Sequence, residues 1–361
     1  MSSLPPLSDL NESARKSPQV WSATDAAAFM KELREQLHTL DVFRGDKRGY
    51  ILRSLWVLVA SAIAWLGFFN AGTWPQRLFM GLLSGYAGVQ ASAIAHEAGH
   101  GAVTNVRSWT SFIGHLFMTL LVGVSFSAWV HRHRSHHTHP NSRLDPDVHA
   151  GLFSFNETDA LGARGLAGLC TRYQHILLIP LASLMGFTLK FKSWCHVLRD
   201  PAAYIGNLSL LVIHGGLWIA LPAYWIGTEA AIENYLLLTW VEGVYLAFVF
   251  LPNHLGGPTA DEASQWPPVL RQIVSTRNLP ASHFLTHLCI GLNTHIEHHL
   301  FGHLPSTRLN EARATTRRLC HFYDIPYREC TISQAFSEMQ QYNLRMATIA
   351  RQAALVRCTT K

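Results

Sequence analysis

Six apolar stretches, near residues 51–69, 78–95, 112–128, 174–190, 205–226 and 232–251, dominate this chain. Each approaches the roughly 20 residues that an α-helix needs to cross a hydrocarbon core of about 30 Å. Only 14% of the 361 residues are charged, against about a quarter in an ordinary soluble protein. The bilayer is therefore the expected solvent. Helices are the expected element, because lipid offers the backbone no hydrogen-bond partner and a helix supplies its own.

The net charge of +6 does not point to nucleic acid, since no block of five or more Lys and Arg residues occurs. Scattered basic residues between apolar runs fit a surface that faces membrane lipids. Six cysteines (Cys170, Cys195, Cys289, Cys320, Cys330 and Cys358) form no CxxC pair and no framework spacing, so neither a thiolate zinc site nor a disulfide scaffold is expected. The start lacks an apolar core behind a basic segment and does not read as a secretory signal. Residues 1–20 read as a polar tail, and 24–40 as an amphipathic helix lying on the membrane surface.

Histidine is the other excess: 21 residues, nearly as many as the 23 carboxylates. A first cluster, His96-Glu97-Ala-Gly-His100, places two imidazoles at i and i+4 on one helical face, at the end of an apolar stretch. A second packs His131, His133, His136, His137 and His139 into nine residues, with His133, His136 and His137 at i, i+3 and i+4. The third repeats that spacing in His295, His298 and His299. Two, three and three face-sharing residues make eight imidazoles, more than the three or four that a single zinc uses. Two metals are implied. Imidazole suits iron, copper, nickel and zinc alike, but a site with open positions beside a membrane fits iron activating dioxygen against a C–H bond. In a different class, the first cluster also fits the HExxH zinc protease pattern with Glu97 as general base, a reading that leaves the other two clusters without a task. A haem-carrying electron-transfer protein would instead need paired histidines within the spans.

If the clusters form one site, they emerge on one side of the membrane, and a third stretch that truly crossed would separate the first from the second. The stretches 112–128 and 174–190 are therefore read as interfacial or re-entrant helices. The expected fold is an all-α integral membrane protein with four transmembrane helices in two hairpins, interfacial helices and a cytoplasmic histidine-box metal cap. Loops 70–77 and 227–231 carry a single basic residue, Arg77, so both termini and the active site are expected on the cytoplasmic side. Glu242, inside the sixth stretch, is costly there unless it is functional or faces the helix bundle.

The boxes HxxxH, HxxHH and a final HxxHH, separated by paired apolar spans, closely resemble those of the membrane fatty acid desaturases. Asn141 and Asp145-Pro-Asp147 follow the second box as in that family, Phe250-Leu-Pro-Asn253-His254 matches a segment before the third, and the stretch from Trp266 to Asn278, with Gln272 and Thr276, is also similar. The resemblance covers about 50–330. It implies a membrane desaturase domain at 50–330, preceded by a cytoplasmic tail with its amphipathic helix at 1–49 and followed by a cytoplasmic helix at 331–361. It further implies two irons with O2 as co-substrate, held by His96, His100, His133, His136, His137, His295, His298 and His299, with His254 as a ninth ligand. Asn141, Asp145, Asp147, Asn253 and Glu297 would orient ligand imidazoles.

His131, His139, His287 and His303 match no box position, and His115, His175, His196, His214, His283 and His321 read as structural. Front-end members have glutamine at the start of the third box where this chain has His295, although the flanking IEHHLF is front-end-like. No HPGG haem-binding segment occurs, so a separate electron donor, of cytochrome b5 or ferredoxin type, is implied; Arg308, Arg313, Arg317 and Arg318 fit either steering of an acidic donor or attraction to membrane phosphates. The substrate would be a fatty acyl chain linked to lipid, CoA or acyl carrier protein. Hydroxylation or acetylenic-bond formation on the same fold are the alternative outcomes.

Overall fold

A computed structural model of the chain describes residues 21–142, 144–147, 151–258 and 266–359, so the polar tail read at 1–20 lies outside the described residues. Among these the structure is helical, and the β-type pairing is one isolated bridge between Asn278 and Glu329. In chain order come α1 (Ala23–Thr39), α2 (Lys47–Asn70), α3 (Trp74–Gly99) and α4 (Arg107–Gly114), which continues as a π-helix (His115–Val122) before α5 (Phe126–Thr138). The middle holds α6 (Glu157–Gly162), α7 (Gly165–Arg172), α8 (Gln174–Ala182) and α9 (Met185–Arg199). α10 (Ile205–Gly215) runs through a π-helical stretch (Gly216–Ala220) into α11 (Leu221–Ile226), followed by α12 (Thr228–His254). Last are α13 (Pro268–Val274), α14 (His283–Leu288), α15 (His295–Leu300), α16 (Ser306–Phe322) and α17 (Ile332–Thr359). The chain divides into two compact units, one of 45–133 and 179–249, the other of the described parts of 1–44, 134–178 and 250–361.

In the first unit, local chemistry sets the helix starts. Asp46 opens α2 by accepting the Gly49 N–H at 3.0 Å, and Thr73 opens α3 with its N–H donated to Gln76 at 3.1 Å. α3 stops just before Gly101, whose φ of +78° is the left-handed turn that ends many helices. Among the described residues, four helices are long and apolar enough to cross a bilayer: Lys47–Asn70, Trp74–Gly99, Ile205–Ile226 and Thr228–His254. On α2, Ile51, Leu55, Val59, Ile63 and Leu66 form a stripe exposed by 51–60%. Such a stripe would be an aggregation site in water and is an ordinary lipid-facing surface in a bilayer. The chain is a multi-pass membrane protein.

The two stretches read as interfacial or re-entrant fall within bent helix pairs. The helix pair Arg107–Val122 and Phe126–Thr138 bends by 109°, and Gln174–Ala182 with Met185–Arg199 by 69°; counting each bent pair as a span would raise four to six. The first bend sits at Gly123, where φ is +78° and a side chain would collide with the His214 imidazole. Pro180 lies inside α8, just before the second.

Small residues let the helices of this unit approach closely. Side chains at Gly81, Gly85 and Gly88 of α3 would run into Leu237, Val241 and Glu242 of α12, a seam in which Gly81 and Gly85 have the four-residue spacing common between membrane helices. Gly186 of α9 and Gly243 of α12 meet each other's backbone in the same way. Closure of these contacts buries Glu242 against Lys190, Oε2 to Nζ 2.9 Å. Lys190 also donates to Thr239 Oγ1 at 3.1 Å and lies 4.8 Å over the Tyr235 ring. Glu242 thus faces the bundle, neutralised by a partner.

In the second unit, Ser22 and Asp25 close a capping box at the start of α1, with Asp25 N–H donated to Ser22 Oγ at 3.2 Å and Ser22 N–H to Asp25 Oδ2 at 2.9 Å. The helix is amphipathic as expected, but its apolar face is not turned to lipid. Phe29, Leu33 and Leu37 are buried in a protein core with Ile296, Phe301, Leu309, Ala312 and Leu319, and Tyr323 donates to Glu32 at 2.5 Å. The sequence shows that such a stripe must be covered, and the fold supplies α15 and α16 as the cover. α17 lies in the segment read as a C-terminal helix and packs along α6 and α7, with Gln174 Nε2 donated to Asn343 Oδ1 at 2.9 Å.

Removing one partner of a buried ion pair leaves an uncompensated charge, at a cost of about 3–5 kcal/mol. Lys190→Met is therefore expected to lower the thermal midpoint of the detergent-solubilised protein sharply. The double replacement Lys190→Met/Glu242→Leu should recover most of that loss, as scored by fluorescence-detected melting.

Candidate metal centre

α3 ends in the first unit with His96 and His100 one turn apart, and α5 brings His133 to meet them. Nε2 of His133 lies 3.1 Å from Nε2 of His96 and 2.8 Å from Nε2 of His100. Trp129, one turn before His133 on α5, stacks on its ring with centroids 4.4 Å apart and meets the His96 ring edge-on. Three imidazoles from two helices thus point one nitrogen each at a common point.

A second nest is built within the other unit. His136 from the end of α5, His254 from the end of α12, and His295 and His299 from α15 bring candidate ligand nitrogens within 4.8 Å of one another. The Nε2 atoms of His254 and His295 are 2.7 Å apart. His137 stacks on His299 with centroids 4.3 Å apart, and His298 lies edge-on to His137 at 4.8 Å. α15 is only six residues long, so neighbours must hold it. Asn278 accepts the Ile296 N–H at 2.9 Å and donates to Glu297 at 2.8 Å, while Tyr327 O–H donates to the other Glu297 oxygen at 2.7 Å. Burial pushes the Glu297 carboxyl above its ordinary range, against the pull of those two hydrogen bonds.

The donor set fits bound metal. Imidazole nitrogens bond such ions at about 2.0–2.1 Å, so two ligands at right angles stand about 3 Å apart, close to the 2.7–3.1 Å spacings of the two nests. Without a proton or cation between them, lone pairs at that spacing repel. Nε2 of His299 is buried and finds no hydrogen-bond partner among the described residues. Burial and the surrounding imidazoles of His137, His295, His254 and His136 hold the His299 ring well below its usual pKa, hence neutral, the form that binds metal.

Asp145 contacts one of these imidazoles. It is fully buried, with Oδ2 3.0 Å from His136 Nδ1 and accepting the Asn141 N–H at 2.9 Å, while Oδ1 accepts the Asp147 N–H at 2.9 Å. Burial opposes its ionisation, but the hydrogen bond and charge from His136 and the Asp147 N–H outweigh that and keep its pKa below the usual carboxylate value. An ionised carboxylate only accepts, so the proton of His136 sits on Nδ1 and Nε2 is left for a metal. Asn141 takes the left-handed φ of 55° that turns the chain back, and its Nδ2 donates to Ser275 O at 2.9 Å. Asp147 is the outer member, 3.8 Å from His136 Nδ1 and half exposed. Asn253 is buried one residue before His254.

Other residues singled out in the sequence are placed elsewhere. His131, His139, His287 and His303 join neither nest, and His214 is hydrogen-bonded to Leu120 O and Tyr235. Arg313 is buried against Glu329, which Arg317 also pairs with, and Arg308 pairs with Glu311, so much of the positive charge of that segment is compensated within the protein.

Two features escape sequence reasoning. Glu97 of the first box is held by Arg53 at 2.7 Å and by Tyr50 O–H at 2.5 Å, both from α2, partners more than forty residues away. Trp129 was within reach of helical spacing, lying four residues before His133.

Loss of a group that orients a ligand imidazole weakens metal binding about 10–100-fold. Asp145→Asn is expected to lower the affinity for one ferrous ion by that factor, while Asp147→Asn changes it little; anaerobic calorimetric titration distinguishes them.

Comparison with known proteins gives a match of residues 72–331 to the family model described as Fatty acid desaturase. Fatty acid desaturase 2-like protein FADS2B of Mus musculus is 26% identical over 86% of this chain and 64% of its own length. The Delta(8)-fatty-acid desaturases of Helianthus annuus and Euglena gracilis are 23% and 24% identical, over 92% and 95% of this chain and 75% and 84% of theirs. The chain spans less than two thirds of the mouse relative.

Proposed function

The chain belongs to the fatty acid desaturase family, and from that premise we propose that it introduces a double bond into a fatty acyl chain at a di-iron centre, with O2 as co-substrate and electrons from a separate donor of cytochrome b5 or ferredoxin type. The observation that carries this reading is the pair of histidine nests, His96, His100 and His133 in one unit and His136, His254, His295 and His299 in the other. Nine histidines, those seven with His137 and His298, are the proposed iron ligands. Bound iron would supply the oxidising power that no side chain has, so that two hydrogens leave adjacent carbons while O2, two electrons and two protons become two waters.

The protein's own residues do the rest. Asp145 holds the His136 proton on Nδ1, and Trp129 limits the tilt of His133 and His96. Apolar helices let an acyl chain approach from the bilayer, and its register against the ligand set decides which carbons react. Both termini and the site are proposed to lie on the cytoplasmic side, in keeping with the scarcity of Lys and Arg at 70–77 and 227–231.

The HExxH protease reading is disfavoured by Glu97. A general base of that class faces the metal-bound water, whereas this carboxylate is engaged by an arginine and a tyrosine.

Expression in a host of simple fatty-acid composition, supplied with an electron donor, should yield a new lipid acyl chain lighter by two hydrogens, located by mass spectrometry with double-bond mapping. His136→Ala should abolish it and reduce the iron content. A product carrying an added oxygen, or full activity of His136→Ala, overturns the assignment.

A further inference from the structure

α13 carries no histidine, yet its Gln272 touches two of the three segments that build the second nest, the end of α5 and α15. Its Nε2 donates to the backbone carbonyl of His137 at 2.6 Å, and its Oε1 lies 2.8 Å from Nδ1 of His299. A carbonyl can only accept, so the His137 contact fixes which end of the amide is nitrogen. The other end is then an oxygen, which has no proton to give, and the ring nitrogen facing it must carry one. His299 is thereby set as the Nδ1–H tautomer, with its lone pair on Nε2. That atom is buried and finds no hydrogen-bond partner among the described residues, and its ring belongs to the nest with His136, His254 and His295.

We propose that Gln272 is a positioning residue that selects the metal-binding tautomer of His299, doing with a neutral amide what Asp145 does for His136 with a carboxylate. The inference rests on the reading of this nest as an iron site. Its second hydrogen bond has a distinct role: by gripping the His137 carbonyl it orients the amide, so the backbone of the second box dictates the protonation of a ring in the third. A neutral acceptor polarises an imidazole less than a carboxylate does, which leaves His299 a weaker donor than His136. The nest therefore has one carboxylate-backed and one amide-backed ligand.

The test compares wild type, Gln272→Leu and Gln272→Glu in detergent, loaded anaerobically with ferrous iron and titrated with a chelator, with cobalt(II) as a spectroscopic substitute. Wild type holding fewer than two irons sinks the underlying di-iron reading, whatever Gln272 does. With two irons in wild type, Gln272→Leu is expected to lose affinity for one of them about 10–100-fold. Gln272→Glu keeps the acceptor but not the donor, so it should hold both irons at least as tightly and shift the cobalt ligand-field absorption. Leu retaining both irons at wild-type affinity overturns the proposal. So does loss of iron in Gln272→Glu, which would assign the effect to the His137 tether, or an unshifted cobalt spectrum in that variant. Should Gln272→Leu fail to fold, the glutamate variant decides alone.

Discussion

Imidazole lone pairs forced together inside a protein repel unless something positive sits between them. Nitrogens 2.7–3.1 Å apart in the two nests are tolerable only with a proton or a cation in the gap, and burial holds His299 neutral. Much of the local architecture exists to impose that arrangement. Asp145 and the Asn141 turn fix His136, Asn278 and Tyr327 pin the short helix behind His295, His298 and His299, and Trp129 braces His133.

The apolar part answers a different demand. With lipid outside, helices gain little from hiding apolar surface, so association depends on close packing and on polar groups with nowhere else to go. The glycines of α3 and the Gly186–Gly243 crossing supply the first, and the Lys190–Glu242 pair supplies the second. Family membership and helix composition agree that this part lies in a membrane.

Features that depend on a short stretch of chain were legible in the sequence. Length and apolarity marked the four long helices, and spacing at i, i+3 and i+4 marked the boxes. The bends in the helix pairs that contain 112–128 and 174–190 coincide with local signals too, Gly123 and Pro180. What was hidden depends on distant partners. Neither Gln272 nor Arg53 announces which carbonyl or carboxylate it will meet, because the contact spans 135 residues in one case and 44 in the other. Nor could the pairing of Arg313 and Arg317 with Glu329 be read from spacing, since it joins α16 to a residue beyond its end. For α1, an apolar stripe says that something must cover it and is silent on whether that is lipid or protein.

The answer for α1 differs between the finished protein and the growing one. Glu32 receives its hydrogen bond from Tyr323, 291 residues further along the chain. At synthesis rates of about 5–20 residues per second, that partner arrives roughly 15–60 s later. Through that interval the core that buries Phe29, Leu33 and Leu37 is incomplete, and their apolar face lacks the cover that α15 and α16 give it in the finished protein.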